Sequence, residues 1–464
     1  MSRRGKQFVN EYDDFIVLKL PYSYQNVQLE SDDGCKDSNG CRQFSLVIFL
    51  PHERDGLLSL VQEMRQARAS CGTTYLRDAS RRCQGDQEAT RGRHFRPHDE
   101  LLAVLGASSR NELAELACNV ADGALADRPA GPRVAFAWGL WHEKTVVMKP
   151  AYRAVAAESY KAEIRAADFK GKAEAAREEI NNWVSEATKE LITSILPEGS
   201  VHPRTRLVLT NAIYFKGTWK EKFDKNCTKV RPFHRLDGSD VRVPFMSSRG
   251  HKMVDEYDEF SVLKLPYCQF ANDEVQTKSD VDERPQFSMV IFLPHERDGL
   301  PSLVEEMASD PRFLWDHLPG RRVKVGKFRL PRFKLSFSSE ISDVLKVMGM
   351  KKAFAPFEAD LADMLEEDKA KLPNNMMDRS VDLYVETVMH KAVIEVNEEG
   401  TEAVASTVCS SRVLQSARRH PNFVADHPFV FFVVEEVSST IVFMGHVVDP
   451  TKSEYIIYTY ESNL

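Results

Sequence analysis

The sequence predicts an α+β fold, in which strands and helices mix without a regular strand–helix–strand order. Residues 205–216, which contain RLVLTNAIYF, and residues 429–434, FVFFVV, are rich in β-branched and aromatic side chains and predict buried strands. Residues 173–196 instead carry apolar side chains at helical spacing, and Pro197 ends that pattern. Because the two patterns are interleaved along the chain, the mixed class follows.

Further segments add elements to this mixed fold. Residues 321–337 alternate basic and apolar side chains, which predicts one half-buried strand. Residues 341–354 predict a short helix. Residues 440–448, TIVFMGHVV, predict a strand that pairs with the strand at 429–434 across a tight turn.

A duplication is the strongest signal of chain organisation. Residues 11–22 read EYDDFIVLKLPY, and residues 256–267 read EYDEFSVLKLPY. Residues 43–64 and residues 286–307 share the core FLPHERDGL and differ at few positions. Each copy predicts a strand, a polar loop, a second strand and a short helix. Two distant copies do not make a tandem repeat protein, which needs at least three adjacent units.

The duplication divides the chain into three parts. Residues 1–64 are a partial copy of residues 250–307. Residues 65–100 are polar, rich in arginine and without periodicity, which predicts a linker. Residues 101–464 predict one continuous domain. Because an isolated hairpin is only marginally stable, we expect the first copy to dock, to exchange with the second copy, or to stay poorly ordered.

Composition excludes several functional classes. The net charge of -7 argues against a nucleic-acid partner, and the lack of a long apolar run argues against a membrane span. The eight cysteines are scattered without a CxxC pair, so we expect neither a zinc site nor a disulfide framework, and no cofactor. Nucleotide-binding, metalloprotease and serine-hydrolase motifs are missing from the sequence, which predicts that the protein is not an enzyme.

Two polar residues interrupt predicted apolar strand faces. Asn211 shares a face with Leu209 and Ile213, and His390 shares one with Val388 and Ala392. Each would cost roughly 1–3 kcal/mol if it were buried without a partner. We therefore predict that Asn211 and His390 form a hydrogen bond across neighbouring strands. This core role is a better explanation of His390 than a metal ligand or a catalytic base.

Several long motifs resemble the serpin family, and plant-type serpins in particular. They are LTNAIYFKGTW at 209–219, LPRFKLSF at 330–337, HKAVIEVNEEGTEAVAST at 390–407, FVADHPFVFFV at 423–433 and FMGHVVDP at 443–450. Their order and spacing match the family over residues 95–464. The resemblance implies a serpin-like fold with three β-sheets, several surrounding helices and an exposed C-terminal reactive loop. It also implies inhibition of serine-type endopeptidases through cleavage and insertion of that loop.

The resemblance gives roles to five residues. Asn211 and His390 match the polar pair beneath the central sheet, called the shutter. Trp219, Arg332 and Glu398 match the breach, where the loop first enters the sheet.

The resemblance also defines a hinge that leads into the loop. Its residues are Glu398, Glu399, Gly400, Thr401, Glu402, Ala403, Val404, Ala405, Ser406 and Thr407. Gly400 supplies conformational freedom at the turn. Alternate residues from Thr401 are small, and the family's geometry places them inward. Glu402 then faces water, so the residue types favour insertion as a strand.

The resemblance locates the scissile bond by counting residues from the hinge glutamate, Glu398, as is the convention for serpins. This count gives Leu414–Gln415. A Leu-Xaa-Ser bait pattern of plant serpins gives the alternative Gln415–Ser416. Arg412 and Arg418 are further candidates for a trypsin-like protease.

The N-terminal part departs from the family pattern. The long first helix and the Asn-x-x-x-Ser-Pro segment before the second helix are missing, and the duplicated fragment takes their place. The second helix normally lies under the shutter and contributes apolar contacts of roughly 1.5–3 kcal/mol per side chain. The alternative to an inhibitor is therefore a non-inhibitory serpin that acts as a binding, storage or degenerate protein.

Partners and location follow from the same evidence. We expect a target protease of the serine or cysteine class, no nucleic acid and no membrane. We expect a monomer that can also associate through loop–sheet contacts or hairpin exchange. No apolar leader follows Met1, which favours the cytoplasm or nucleus, while the resemblance leaves extracellular action open.

Overall fold

The computed structural model describes most of the chain from Pro97 onwards and three strands before it. The described residues are 9–11, 15–25, 41–51, 97–105, 107–126, 131–268, 285–310, 312–356, 358–366, 383–400, 420–452 and 454–457.

Seven α-helices lie within these residues. They are α1 (Pro97–Leu105), α2 (Arg110–Asp122), α3 (Pro150–Tyr160), α4 (Phe169–Ala187), α5 (Leu300–Ser309), α6 (Phe313–Asp316) and α7 (Ser342–Met348). Short 3-10 helices cover Lys225–Cys227, Lys352–Phe354 and Ala362–Met364. Among the described helices, none has the length and hydropathy needed to span a lipid bilayer.

The strands of the same residues form four sheets. The central sheet has the order β19 (Glu454–Ile457), β14 (Phe333–Glu340), β15 (Thr387–Val396), β6 (Leu207–Lys216), β4 (Arg133–Glu143) and β5 (Glu163–Ala167). The second sheet has the order β12 (Arg322–Val325), β9 (Gly250–Glu256), β10 (Phe260–Pro266), β11 (Phe287–Pro294), β17 (Phe429–Glu435) and β18 (Thr440–Val447). The third sheet has the order β16 (Phe423–Val424), β13 (Phe328–Pro331), β8 (Asp240–Ser247) and β7 (Lys229–His234). The N-terminal sheet consists of β1 (Val9–Glu11), β2 (Phe15–Gln25) and β3 (Cys41–Pro51).

This architecture confirms the predicted α+β class and the three sheets of the main domain. The apolar runs form the centre of the second sheet, where every residue of β11 and β17 is buried. The strands predicted at 429–434 and 440–448 form the antiparallel pair β17–β18. A strand that is buried on both faces has no need for alternation, which explains the continuous apolar sequences of β11 and β17.

The strand predicted at 321–337 is wrong as a single element. The segment forms β12, β13 and the start of β14, which belong to three different sheets. A turn at Gly326 separates the first two strands, and a Cβ at this glycine would lie 2.6 Å from the Asn422 Oδ1. The neighbouring Lys327 N–H donates to the same oxygen at 2.7 Å. Alternation continues through this turn, so the sequence pattern alone could not reveal the break.

The helix predicted at 173–196 is shifted and shorter in the structure. It begins after Asp168, whose carboxylate accepts a hydrogen bond from the Gly171 N–H, and it ends at Ala187. The chain beyond this end is held by the Asn181 amide oxygen, which accepts hydrogen bonds from Ile195 and Leu196. The later apolar positions are therefore buried without being helical.

Two other predicted boundaries also differ in the structure. The helix predicted at 341–354 divides into α7 and a 3-10 helix, because Gly349 ends α7 in a left-handed conformation. At the N-terminal end, α1 begins at Pro97, three residues before the predicted end of the linker at residue 100.

The central sheet has a different core on each face. One face packs on α4, and its cluster includes Trp141, Phe169, Ile180, Trp183, Val184 and Met389. The other face joins the second and third sheets through Phe215, Trp219, Tyr267, Phe333 and Ile394. The candidate site lies where β6 and β15 leave this second core.

Candidate functional site

The site begins at a tight turn directly after β15. The Asn397 N–H donates to the Gly400 carbonyl at 3.1 Å, and the Gly400 N–H donates to the Asn397 carbonyl at 3.2 Å. Gly400 has a φ of 105°, in the region that favours glycine. The chain therefore reverses direction at the end of a central strand.

Gly400 also packs against the backbone that follows β6. An ideal Cβ at this position would lie 2.2 Å from the Gly217 carbonyl oxygen and 2.5 Å from the Trp219 nitrogen. Both atoms belong to the main chain, so neither can move aside as a side chain could. The turn consequently requires glycine for its conformation and for its close contact.

Trp219 holds the turn through its backbone and its ring. Its backbone N–H donates to the Glu399 carbonyl at 2.9 Å, and its indole N–H donates to the Asn397 carbonyl at 2.9 Å. The buried ring stacks on Tyr267 with a centroid separation of 4.4 Å. Phe223 adds a backbone hydrogen bond to the Glu398 carbonyl at 2.8 Å. The hinge is thus fixed by residues that follow β6.

Glu398 is buried although it carries a carboxylate. Its Oε1 accepts a hydrogen bond from the Thr228 hydroxyl at 2.7 Å, and its Oε2 lies 3.6 Å from the Arg332 Nε. The Glu398 side chain is 4% exposed, whereas the Arg332 side chain is 46% exposed. This burial makes the contact different from an ion pair between two solvated side chains.

Arg332→Ala is expected to lower the free energy of unfolding by roughly 1–3 kcal/mol, because it removes the cation beside a buried carboxylate. Lys334→Ala is the matched control, since Lys334 pairs with Glu395 between the same two strands but both side chains are substantially exposed. Its expected cost is about 0–1 kcal/mol. Urea unfolding of both variants measures the difference, and equal costs would contradict the buried-carboxylate explanation.

Several residues of this site were missed by the sequence analysis. Lys225 lies 2.5 Å from the Glu399 carboxylate, and Thr228, Phe223 and Tyr267 make the contacts described above. Only Tyr267 carried a signal, because it ends the duplicated VLKLPY segment. The others lie in irregular chain after β6, where no periodic pattern marks them.

Asn211 and His390, the residues predicted to form the shutter, lie side by side. They are register partners in the parallel ladder between β6 and β15. The predicted hydrogen bond between them is nevertheless not formed, because the Asn211 Oδ1 is buried without a partner in the described residues. His390 instead lies beside Phe337, with ring centroids 6.0 Å apart. The two side chains are adjacent across the strands, but their polar atoms are not matched.

A half-buried row crosses the central sheet next to the shutter. Phe136, Ile213, Ala392 and Phe337 are register partners on four successive strands, and all four are only partly buried. Residues at both ends of these strands are fully buried in two separate clusters. Partial exposure at the middle of the sheet is what a missing covering helix would leave.

Acid is expected to destabilise the protein through two histidines. Burial lowers the pKa of His390 and the pKa of His446 to about 4, from an ordinary value of 6.5. A lowered folded-state pKa means that the unfolded chain binds more protons between about pH 6.5 and 4. Stability is therefore complete above pH 6.5 and is lost as the pH falls through that window.

The expected loss between pH 7 and pH 5 is about 2 kcal/mol for the buried His446 and less for the half-buried His390, whose charge is partly solvated. Urea unfolding at the two pH values measures the loss. His446→Gln should reduce the difference between them, and an unchanged difference would contradict the assignment.

The strands β6 and β15 are paired directly with each other. Their parallel ladder runs from Thr387↔Val208 to Ile394↔Phe215, so no strand lies between them. A strand that followed the turn at Gly400 and entered between β15 and β6 would run antiparallel to both of them. The arrangement can therefore accept one added strand if β6 and β15 separate. Among the described residues, no group of three or more His, Cys, Asp and Glu side chains could hold a metal ion.

The remaining predicted site residues lie outside the described residues. They are the hinge positions Thr401, Glu402, Ala403, Val404, Ala405, Ser406 and Thr407, and the candidate reactive-bond residues Leu414, Gln415 and Ser416.

Comparison with known proteins gives consistent results. A family model described as Serpin (serine protease inhibitor) matches residues 90–450. Serpin-Z2A of Oryza sativa subsp. japonica is 50% identical over 76% of this chain and 86% of its own length. Serpin-ZX of Arabidopsis thaliana is 40% identical with the same two coverages. The family model does not match residues 1–89.

A solved structure supports the same relationship. Arabidopsis AtSerpin1, described as a native stressed conformation, superposes with a TM-score of 0.66 at 39% identity. The superposition covers 77% of this chain and 86% of that chain.

Proposed function

The chain belongs to the serpin family, whose members are generally serine protease inhibitors and not enzymes, and we propose that it inhibits a serine-type endopeptidase by loop cleavage and insertion. The observation that carries this proposal is the direct β6–β15 pair that ends in the glycine turn at Gly400. This pair provides a position for one further strand, directly connected to the chain that would fill it.

Insertion of the loop between β6 and β15 is favourable because it adds a set of strand–strand hydrogen bonds. The β6–β15 ladder is replaced by two ladders, one on each side of the inserted strand. If residues 401–407 enter, each added net hydrogen bond contributes about 1 kcal/mol. Cleavage of the loop removes its second attachment and allows this rearrangement. The protease that remains attached to the cut end would be carried along with the loop.

The bond that we propose for cleavage is Leu414–Gln415, with Gln415–Ser416 as the alternative. Mass spectrometry of the C-terminal fragment released by the target protease distinguishes the two bonds. A fragment that begins at Gln415 supports the first, and one that begins at Ser416 supports the second.

The central experiment compares thermal unfolding before and after cleavage of the loop by a protease such as chymotrypsin. Several kcal/mol of added strand pairing should raise the unfolding midpoint by roughly 10 °C or more. Incubation with serine proteases should also give a covalent complex that resists SDS. An unchanged midpoint and simple cleavage by every protease would overturn the proposal.

A matched pair of variants tests insertion itself. Family geometry places Ala403 inward and Glu402 outward in the inserted strand. Ala403→Arg should abolish the rise in the midpoint, because a buried guanidinium lacks a partner there. Glu402→Arg should preserve the rise. Equal behaviour of the two variants would contradict strand insertion in this register.

A non-inhibitory serpin is the second candidate. The half-buried row through Ile213 and Ala392 favours it, because a sheet with an incomplete core has less stability to store before cleavage. This candidate predicts cooperative unfolding, simple cleavage and no rise in the midpoint.

A further inference from the structure

The N-terminal sheet reproduces part of the second sheet in the same register. Phe15 pairs with Pro51 at one end of β2–β3, just as Phe260 pairs with Pro294 in β10–β11. The next six pairs of the two hairpins also correspond one to one. The pairing of β1 with β2 likewise repeats the pairing of β9 with β10. The duplicated sequence therefore forms the same three-stranded meander twice.

The two copies differ in how their last strand is used. In the second sheet, β11 pairs with β10 on one side and with β17 on the other, and the ladder with β17 covers Phe287–Phe292. In the N-terminal sheet, β3 pairs with β2 and is an edge strand among the described residues. The equivalent positions on β3 are 44–49. The outer edge of β3 therefore has nearly the same sequence as the edge of β11 that pairs with the antiparallel strand β17.

Backbone directions in β11 identify the groups at this edge. The Gln286 carbonyl accepts from Glu436, on the β17 side, and the Phe287 carbonyl accepts from Tyr267, on the β10 side. The backbone N–H and C=O groups of successive residues point alternately toward the two neighbouring strands. The N–H of Val290 therefore points toward β17. The shared register places the N–H of the equivalent Val47 at the outer edge of β3.

This edge is long, regular and carries little charge, unlike many protected edge strands. β3 pairs with β2 over eleven consecutive residues without a bulge, and Arg42 is the one charged residue in its sequence. Protected edges are short, bulged, charged or covered. The edge strand β18 of the second sheet, in contrast, shows a register irregularity opposite Val433 and Val434. β3 is therefore the described edge best suited to pairing with another chain.

We propose that the outer edge of β3 is a self-association surface whose partner is β3 of a second copy of this chain. Two identical strands can pair antiparallel about a two-fold axis, which closes the assembly as a dimer. β17 is not available as a partner, because β11 and β18 already occupy both of its edges. Within the same chain, α1 and β18 lie near β3 without sharing a ladder with it, and β18 is the competing strand that the experiment must distinguish.

The first test is the oligomeric state of the full chain, measured by size-exclusion chromatography with light scattering over a wide range of concentration. Wild type should form a dimer. Val47→Pro removes the outward N–H and leaves the inward N–H groups of Leu46 and Ile48 for the ladder with β2. Because the two-fold axis places the substitution in both strands, the dissociation constant should rise at least about tenfold.

Val47→Thr is the matched control, because it keeps the N–H and the β-branched side chain. It should change the dissociation constant by less than about threefold. A monomeric wild type, a Val47→Pro variant that still dimerises, or open-ended polymers instead of dimers would each overturn the proposal.

The second test does not depend on how the variants fold. Amide hydrogen exchange of wild type should show protection of residues 44–49 that increases with protein concentration. Peptides that contain residues 44–49 can be told from the corresponding β11 peptides by mass, because the first copy has Leu46 where the second has Met289. Protection that is the same at every concentration would indicate pairing within one chain, with β18, and would also overturn the proposal.

Discussion

Replacement of Gly400 by alanine is expected to lower the free energy of unfolding by roughly 2–6 kcal/mol. One part of this cost is conformational, because the φ of 105° is strained for any residue with a Cβ. The other part is steric, because the new Cβ would meet the Gly217 carbonyl oxygen and the Trp219 nitrogen. Urea unfolding measures the sum of the two.

Gly199→Ala separates the two parts. Gly199 has a φ of 78°, but nothing lies within 4 Å of its ideal Cβ. This control should cost only about 1 kcal/mol, from the backbone conformation alone. If Gly400→Ala cost no more than Gly199→Ala, the close contact between the hinge and the chain after β6 would be refuted.

Replacement of Trp219 should have an effect of similar size. Trp219→Ala removes a buried indole that stacks on Tyr267, and the expected loss in the free energy of unfolding is about 3–5 kcal/mol. Trp219→Phe keeps an aromatic ring but removes the indole donor to the Asn397 carbonyl, at an expected cost of about 1 kcal/mol. Thermal and urea unfolding measure both losses.

The phenylalanine variant also has a local consequence at the hinge. A loss of about 1 kcal/mol in local contacts should make the amides of residues 217–223 exchange about five times faster. Trp138→Phe is the control, since Trp138 packs beside Phe136 in the same sheet and does not contact the hinge. Faster exchange at 217–223 in the control, or none in Trp219→Phe, would argue against the indole as the group that holds the turn.

These two predictions concern the same group of contacts, which surround the turn after β15. Asn397 and Gly400 form the turn, and Trp219 binds its carbonyls on one side while Thr228 and Arg332 fix Glu398 on the other. The contacts close the end of the β6–β15 pair at which a strand would enter. Under the proposed mechanism, the strength of these contacts sets how easily the sheet opens to accept the loop.

The geometry also bears on regulation of that step by acid. His390 on β15 is the register partner of Asn211 on β6, and these two strands would separate under the proposed mechanism; burial lowers the pKa of His390. Protonation at low pH would place a charge between the strands of this pair. Loss of stability in acid should therefore be accompanied by easier opening of the sheet.

Local sequence patterns determined a large part of the fold. Apolar runs located β6, β11, β17 and β18. In β11 and β17 every residue is buried, as expected for strands that are covered on both faces. Strand periodicity placed Asn211 and His390 on apolar faces, and the duplicated segments indicated a second hairpin. These inferences succeeded because each depends on residues that are neighbours in the chain.

Contacts between distant residues were decided only by the tertiary structure. The indole of Trp219 reaches a carbonyl 178 residues away, and the Thr228 hydroxyl reaches a carboxylate 170 residues away. The alternating stretch at 321–337 divides among three sheets, because its partner strands come from separate parts of the chain. The unmatched Asn211 oxygen depends on side-chain orientation across two strands, which strand periodicity does not specify. Periodicity determines which face of an element is apolar, but packing alone determines which element covers that face and which polar atoms meet there.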